Sequence, residues 1–241
     1  LSRIADHLQE RLSTLGARVE RLKVNGSKGD VLIGRYNGSG NRRLMLIAHM
    51  DTVYRPGTLL SEPLKLEGNR LYGPGIADDK GGIAVILHAL SILRQNHWNN
   101  YAQLTVLFNG DEESQSAGSG EMIATLAAEN DTVLSYEPTP AKAVAKAEGV
   151  LLAAAGTGTV TLKVKGRSSH AGAAPEEGRN ALMELAHQLL QTADITKSIP
   201  GAQLNWTQAE TGSVRNQIPD HATATADLRL TATDAAAKLQ T

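Results

Sequence analysis

Histidine and carboxylate residues recur in the first part of the chain in four groups: His49-Met50-Asp51, Asp78-Asp79, Asp111-Glu112-Glu113 and Glu137. Imidazole nitrogens and carboxylate oxygens are ligands that Zn²⁺ and similar divalent ions accept. Carboxylates can also bridge two ions, and a pair of ions about 3.5–4 Å apart can hold both an attacking water and a scissile carbonyl. The four groups therefore predict a carboxylate-rich site for divalent metal ions.

Three of the groups directly follow apolar segments that are typical of β-strands, at residues 44–48, 104–108 and 132–136. Ligands bind beyond such strand ends in open α/β sheets, so we expect these groups to meet at one edge of a sheet. The Asp78-Asp79 pair lies in a segment rich in Gly and Pro, which predicts a tight loop before a helix. Each group alone is more often a structural or surface feature, and only their shared position at strand ends favours a metal site.

Spacing within the groups limits which side chains can act together. Asp51 stands two residues after His49, so on a strand both lie on one face and Asp51 can accept the second imidazole N–H. Glu112 and Glu113 are adjacent, so on an extended segment they point in opposite directions. One of them can then ligate an ion while the other takes a proton from water. Asp78, in a rigid loop, is the natural candidate for a bridging carboxylate.

The composition excludes several classes of protein. The 241 residues are 41% hydrophobic and carry a formal net charge of −1, with no cysteine for thiolate ligands or disulfides. Because the charges are scattered and aromatic residues make up only 3%, we expect no nucleic-acid partner. The sequence contains no apolar run near the ~20 residues of a membrane span and no signal-peptide pattern, so we expect no membrane partner. A periplasmic and a cytoplasmic location both stay open.

Two patterns of predicted elements meet near residues 156–158. Residues 1–155 alternate strands with helices, which predicts a mostly parallel sheet with helices on its faces. Residues 156–241 follow the order β-α-β-β-α with period-two alternation in the strands. This order predicts a small α+β domain whose antiparallel sheet carries its helices on one face.

The motifs AHMDTV (48–53), GPGIADDKGG (73–82), DEES (111–114) and EPT (137–139) closely resemble those of a known enzyme family. This family, the co-catalytic zinc exopeptidases, includes glutamate carboxypeptidase, acetylornithine deacetylase and succinyl-diaminopimelate desuccinylase. The resemblance covers nearly the whole chain and is greatest to glutamate carboxypeptidase. It implies an α/β fold with a mostly parallel mixed sheet flanked by helices, into which an α+β ferredoxin-like lid or dimerisation domain is inserted.

The resemblance also implies two Zn²⁺ ions and a role for each metal-seeking side chain. His49 and Glu137 would ligate the first zinc, Glu113 would ligate the second, and Asp78 would bridge both. Glutamate at position 137 is associated with carboxypeptidase-type members of the family. These roles predict a carboxypeptidase with two ions in one site.

Glu112 and Asp51 take supporting roles in the same resemblance. Glu112 would be the general base, and Asp51 would be the hydrogen-bond partner of His49. The peptide bond between Asp78 and Asp79 is expected to be cis.

Residues 156–241 resemble the family's lid domain through the motifs GRSSHAG (166–172), NQIP (216–219) and DLR (227–229). The resemblance implies that the protein is a homodimer formed through this domain. His170 would reach across the dimer to stabilise the tetrahedral oxyanion. Asn216 and Arg229 would hold the terminal carboxylate of the substrate, for which an arginine fork is suited. From the residues alone, His170 is more often a surface-loop histidine. A strand-end loop and an exposed strand cation stay open as interpretations of the other two residues.

The resemblance predicts a metal-dependent hydrolase that removes a C-terminal, preferably acidic, amino acid from a small peptide or N-acyl substrate. One alternative is an N-acyl amino-acid deacylase or desuccinylase, and another is a non-catalytic dimerisation or metal-binding module. The family pattern also includes a histidine ligand of the second zinc in a segment beyond residue 241. We therefore expect a longer native protein, of which these residues alone fold poorly and bind at most one ion tightly.

Overall fold

The computed structural model describes residues 1–27, 29–139, 149–232 and 234–239. The chain forms two units, Leu1–Gly149 and Val150–Thr241. Helix α1 (Ser2–Thr14) opens the first unit, followed by strands β1 (Arg18–Leu22), β2 (Val31–Asn37) and β3 (Arg43–His49). In the part of the chain that is described, no helix is long and apolar enough to cross a membrane.

The remaining elements of the first unit alternate short irregular turns with regular structure. They are the helix α2 (Thr58–Ser61), the hairpin β4 (Lys65–Glu67) and β5 (Arg70–Tyr72), the helix α3 (Gly82–Gln95), the strand β6 (Gln103–Asn109), the helix α4 (Gly120–Ala128) and the strand β7 (Thr132–Ser135). The predicted strands at residues 104–108 and 132–136 and the helix expected after the Asp78-Asp79 loop are thereby confirmed.

The main sheet of this unit has the order β1-β2-β6-β3-β7. The strands β3, β6 and β7 run parallel, joined through α3 and α4, whereas β1 pairs with β2 and β2 pairs with β6 in antiparallel fashion. The expectation of a mostly parallel sheet was therefore only partly right. A tight turn containing Gly26, at φ +88°, allows β1 and β2 to form a hairpin, and a hairpin can only be antiparallel.

Helices cover both faces of the main sheet. On one face, Leu8 and Leu12 of α1 and Ile86 of α3 pack with Leu32 and Val106 of the sheet. On the other face, α4 contributes Leu126 to a cluster with the neighbouring strand residues Val31, Ile33, Met45 and Leu107. Because side chains alternate between faces, burial of both faces explains why these strands read as continuous apolar runs.

Strand register brings three of the metal-seeking groups to one edge of the sheet. His49, the last residue of β3, pairs with Asn109, the last residue of β6, so Asp111 to Glu113 continue from the neighbouring strand end. On the other side of β3, Ile47 pairs with Ser135, which places Glu137 two residues beyond the end of β7. The edge predicted from the sequence is therefore formed by the parallel half of the sheet.

The second unit contains an antiparallel sheet in the order β10-β12-β8, formed by β8 (Gly156–Lys165), β10 (Ala202–Thr211) and β12 (His221–Leu230). A short pair, β9 (Ser169–His170) and β11 (Gln217–Ile218), lies outside this sheet. The helix α5 (Ala181–Thr192) packs on the sheet through Leu185, and a last short helix, α6, spans Ala235–Lys238. The predicted β-α-β-β-α order is confirmed.

Candidate metal centre

His49 lies at the centre of the site and is almost fully enclosed, with only 1% of its side chain exposed. Its Nε2 atom lies 2.8 Å from Asp78 Oδ1 and 3.3 Å from Glu137 Oε1. Its Nδ1 atom lies 3.3 Å from Asp51 Oδ1, an approach without the alignment of a hydrogen bond. The imidazole thus turns one nitrogen towards a supporting aspartate and the other towards two carboxylates, Asp78 from the turn before α3 and Glu137 from beyond the end of β7.

Asp51 supports more of the site than the spacing predicted. Its Oδ1 accepts a hydrogen bond from the backbone N–H of Glu112 at 3.2 Å, and its Oδ2 accepts one from the N–H of Glu113 at 3.0 Å. Burial raises the pKa of Asp51, but its contact with His49 and the backbone donors outweigh burial and lower the pKa. One ionised carboxylate therefore positions both the imidazole and the turn that carries the two glutamates.

Glu112 and Glu113 lie in a 3₁₀ turn, Glu112–Ser114, and not on the extended segment that we expected. The strand β6 ends at Asn109, and the Asp51 carboxylate holds the following turn by its N–H groups. Glu113 Oε1 accepts a hydrogen bond from the backbone N–H of Val53 at 3.1 Å. The two glutamates still point in different directions, because successive residues of a 3₁₀ turn differ by about 120° around its axis.

The Asp78-Asp79 pair lies in an irregular turn at Ile76–Gly81, and the peptide bond between the two residues is cis, as the resemblance implied. Asp79 is fully buried. Its two carboxylate oxygens accept hydrogen bonds at 3.2 Å from the backbone N–H groups of His49 and Gly82. The Asp78 side chain is 51% exposed and contacts His49 Nε2. Asp79 is therefore fixed to the backbone, while Asp78 faces the site.

The described residues contain two overlapping groups whose ligand atoms all lie within 4.8 Å of one another. These groups are His49, Asp78 and Glu113, and His49, Asp79 and Glu137. One imidazole nitrogen and several carboxylate oxygens fit Zn²⁺ or a similar divalent ion. No second histidine joins either group among the described residues.

The electrostatics of the site also fit a cation. Burial lowers the pKa of His49, but the carboxylates of Asp51, Glu137 and Asp78 outweigh burial and raise it to about 9. Burial, together with neighbouring carboxylates, raises the pKa of Glu137 to about 7. Burial also raises the pKa of Glu112. Because the cluster has more negative charge than one imidazolium can balance, a divalent cation would stabilise its ionised form.

In the second unit, the structure brings His170 and Asn216 together but not Arg229. Asn216 Nδ2 lies 3.4 Å from His170 Nε2. Arg229 is near the far end of β12, where its Nε atom donates to Asp227 Oδ2 at 2.8 Å. The eight residue steps from His221 to Arg229 span roughly 26 Å of extended strand. Within one chain, Asn216 and Arg229 therefore cannot contact the same carboxylate.

Two backbone N–H groups determine which nitrogen of His170 carries the proton. The N–H groups of Gly172 and Ala173 point at His170 Nδ1 from 3.2 and 3.1 Å. A nitrogen that accepts two hydrogen bonds carries no proton, so in the neutral ring the proton is on Nε2. His170 Nε2–H is thus a donor, and the amide oxygen of Asn216, not its NH₂ group, is the atom that should face it.

Sequence comparison decides the family. The pattern that describes peptidase family M20/M25/M40 matches residues 45–228, which is most of the chain and includes all four metal-seeking groups. This chain belongs to peptidase family M20/M25/M40. The M20 relatives include Carboxypeptidase G2 of Pseudomonas sp. (strain RS-16), which is 45% identical over 223 residues, or 92% of this chain and 53% of the relative.

A second relative of this M20 chain is acetylornithine deacetylase of Edwardsiella ictaluri, 33% identical over 74% of the chain and 45% of the relative. The chain spans about half the length of these curated relatives. Among solved structures, an M20 family metallo-carboxypeptidase from Sulfolobus solfataricus has a TM-score of 0.74 at 17% identity, covering 96% of this chain and 67% of its own. A tripeptidase from Staphylococcus aureus has the same TM-score at 20% identity. These two likenesses support the fold.

Two buried carboxylates of the metal-seeking groups, Asp79 and Asp111, have a structural role that the sequence did not predict. Asp79 fixes the backbone of His49, and Asp111 accepts hydrogen bonds from Ser119 Oγ at 2.6 Å and from the N–H groups of Gly118 and Ser119 at 2.9 and 3.0 Å. Asp111 thereby ties the start of α4 to the turn that carries Glu112. Each of these aspartates is adjacent to a predicted site residue. An aspartate in that position can be a metal ligand or a structural hydrogen-bond acceptor, and the sequence does not distinguish the two.

Gly82 provides a test of how tightly Asp79 is packed. A Cβ at Gly82 would overlap Asp79 Oδ1 and would lie 2.5 Å from the backbone oxygen of Tyr136. We predict that Gly82→Ala lowers the free energy of unfolding by about 1–3 kcal/mol, as overpacked sites do. Urea denaturation of the full-length protein measures this loss.

Gly81→Ala is the matched control, because Gly81 and Gly82 both have helical backbone angles. Among the residues that the structure describes, a Cβ at Gly81 would meet only the Ile76 oxygen, at 3.1 Å. The helix preference of alanine, worth about 1 kcal/mol over glycine, offsets that contact. Equal losses in the two variants would contradict the packing of Asp79 against Gly82.

Proposed function

We propose that the full protein is a dizinc hydrolase that removes a C-terminal amino acid, preferably an acidic one, from a peptide or N-acyl substrate. The observation that carries this proposal is the convergence of His49, Asp78, Glu113 and Glu137 at one sheet edge in a chain that is 45% identical to Carboxypeptidase G2. His49 and Glu137 would hold the first ion, Glu113 would hold the second, and Asp78 would be a ligand to both. When bound, such ions polarise a carbonyl and lower the pKa of water.

The protein's own residues supply the proton transfers and the alignment. Glu112, on the turn that Asp51 holds, accepts the proton of the attacking water and passes it to the leaving nitrogen. Burial raises the pKa of Glu112, which suits a group that must carry a proton for part of the cycle. Asp51 positions the His49 imidazole and the turn of Glu112 and Glu113 relative to each other.

His170 donates a hydrogen bond to the oxyanion from Nε2–H, and the backbone N–H groups of Gly172 and Ala173 select the tautomer that makes this possible. We predict that His170→Ala lowers kcat about 10²- to 10³-fold and changes KM little, because an oxyanion donor acts in the transition state. His170→Gln keeps an N–H donor and should retain more activity than the alanine variant. A large rise in KM with unchanged kcat in His170→Ala would contradict this role.

The terminal carboxylate of the substrate is held by Asn216 and Arg229 from two different subunits. Within one subunit these two residues lie about a strand length apart, too far to hold one carboxylate together. The proposal therefore requires the homodimer that the resemblance to the lid domain implies. Arg229 brings a guanidinium fork that can hold a carboxylate in bidentate fashion. Sedimentation analysis of the full-length protein should therefore give a dimer, and a monomer with full activity would contradict the arrangement.

A substrate panel tests the proposed function. N-benzoyl-glutamate and a glutamate-terminated dipeptide should be hydrolysed by the zinc-loaded full-length protein and not after removal of metal by a chelator. The same compounds with the C-terminal carboxylate converted to an amide should be poor substrates. Equal turnover with and without the chelator would exclude the proposed mechanism.

An N-acyl amino-acid deacylase is the second candidate. It is favoured by the 33% identity to acetylornithine deacetylase. The site chemistry is the same in both candidates, so only the substrate separates them. Faster release of acetate from N-acetyl-ornithine than of glutamate from N-benzoyl-glutamate would favour the deacylase.

A further inference from the structure

A cavity of about 780 Å³ lies beside the candidate metal centre, within the first unit. Asp51 and Glu113 form the part of its wall that belongs to the site, and the segment after β3, including Val53, Pro56 and Leu59, supplies apolar surface. A cavity of this size accommodates a drug-sized ligand. One half of a substrate bound at the metal centre can therefore extend into it.

The charged side chains that line the cavity differ in whether they already have partners. The lining contains the cations Arg55 and Lys80 and the carboxylates of Asp51 and Glu113. Both carboxylates are engaged, Asp51 by the turn of Glu112 and Glu113, and Glu113 by the N–H of Val53. Within the described parts of the chain, no ion pair is formed by Arg55 or Lys80. The charged groups of the cavity wall that remain available to a ligand are therefore the two cations.

The position of Lys80 is built into the loop that carries Asp78. Gly75 has φ +67°, and a Cβ there would lie 2.8 Å from Lys80 Nζ and 3.2 Å from Thr52 Oγ1. The backbone N–H of Lys80 donates to the Gly75 oxygen at 3.3 Å. Glycine at position 75 thus leaves room for the Lys80 ammonium group. This group lies on the same side of the loop as the Thr52 hydroxyl, and both residues line the cavity.

We propose that this cavity binds the acyl half of the substrate and that Lys80, assisted by Arg55, selects acyl groups with an apolar body and a carboxylate at the far end. The inference rests on the proposed function, in which Asn216 and Arg229 hold the amino-acid half. The apolar surface of Val53, Pro56 and Leu59 contacts the body of the acyl group. Lys80 and Thr52 Oγ1 contact its carboxylate.

Two substrates that differ only in charge test the proposal. N-(4-carboxybenzoyl)-glutamate carries the anionic group, and N-(4-carbamoylbenzoyl)-glutamate replaces it with a neutral amide of the same shape. We expect the full-length zinc enzyme to have at least a tenfold higher kcat/KM for the carboxylate substrate. Lys80→Met should reduce that ratio to within threefold of one, while kcat/KM for the amide substrate changes less than threefold.

Lys23→Met is the matched control, because Lys23 is exposed, lies outside the cavity and loses the same charge. It should leave the substrate ratio unchanged. Equal losses for both substrates in Lys80→Met, or a wild-type ratio near one, would overturn the proposal. Arg55→Gln should reduce the ratio less than Lys80→Met does.

Binding measured without turnover separates this inference from the proposed function. Calorimetry with the Glu112→Gln protein should give at least tenfold tighter binding of the carboxylate compound than of the amide compound, and Lys80→Met should abolish that difference. If wild type hydrolyses neither compound but this difference is found, the proposed function fails and the cavity assignment stands. Hydrolysis of both compounds at equal rates, with equal binding, leaves the proposed function intact and overturns the cavity assignment.

Discussion

Glu112→Gln should lower kcat more than a hundredfold and leave the metal content of the full-length protein nearly unchanged. Glutamine has almost the same shape as glutamate but cannot accept the proton of the attacking water, and a positioned general base contributes 10²–10⁴-fold. Glu112 is absent from both groups of candidate ligands, although its N–H is held by Asp51. Steady-state kinetics and metal counting by plasma mass spectrometry on the same sample measure both effects.

The adjacent residue provides the matched control for this prediction. Glu113 lies in the same 3₁₀ turn and in the group with His49 and Asp78. Glu113→Gln should therefore lose metal from the second site as well as activity. Turnover of Glu112→Gln above a hundredth of the wild-type rate, or a metal loss equal to that of Glu113→Gln, would refute the assignment of the base.

Asp78→Asn should lower the metal content from two ions per chain to less than one. Asp78 is the only proposed ligand shared by both ions, and its side chain contacts His49 Nε2 at 2.8 Å. Replacing a bridging carboxylate by a neutral amide removes a charge from both sites at once. Turnover should fall below a thousandth of the wild-type rate, and added zinc should restore little of it.

Asp79→Asn separates the bridging role from general damage to the loop. Asp79 is buried and accepts hydrogen bonds from two backbone N–H groups, and an amide can accept only through its one oxygen. Its replacement should cost about 1–3 kcal/mol of stability, the penalty of an unsatisfied buried group, with a smaller effect on metal content. Equal metal loss in the Asp78→Asn and Asp79→Asn proteins would contradict the bridging assignment.

The sequence predicted the elements of the fold well, because two patterns are clear in it: continuous apolar runs in the first unit and alternating polar and apolar residues in the second. The apolar runs at residues 31–33 and 44–48 are buried on both faces of the sheet, and the alternating strands of the second unit are buried on one face. The antiparallel half of the main sheet was not predicted. A continuous apolar run shows that a strand is buried, but it does not show the direction of its neighbour.

For the candidate site, the sequence indicated which residues lie close together but not how the structure connects them. Strand ends and the family motifs indicated His49, Asp78, Glu113 and Glu137, which the structure brings near one another. The hydrogen bond from the Glu112 N–H to the Asp51 carboxylate joins residues that are 61 positions apart in the sequence. No local sequence pattern predicts such a contact. The strand-length separation of Asn216 from Arg229 likewise depends on register and was visible only in the structure.

Anomalous diffraction at the zinc edge, on crystals of the full-length protein, tests the central claim most directly. We predict two peaks per chain, about 3.5–4 Å apart, with Asp78 between them, His49 and Glu137 beside one peak and Glu113 beside the other. A single peak, or peaks away from the end of β3, would contradict the two-ion site proposed for this edge of the sheet.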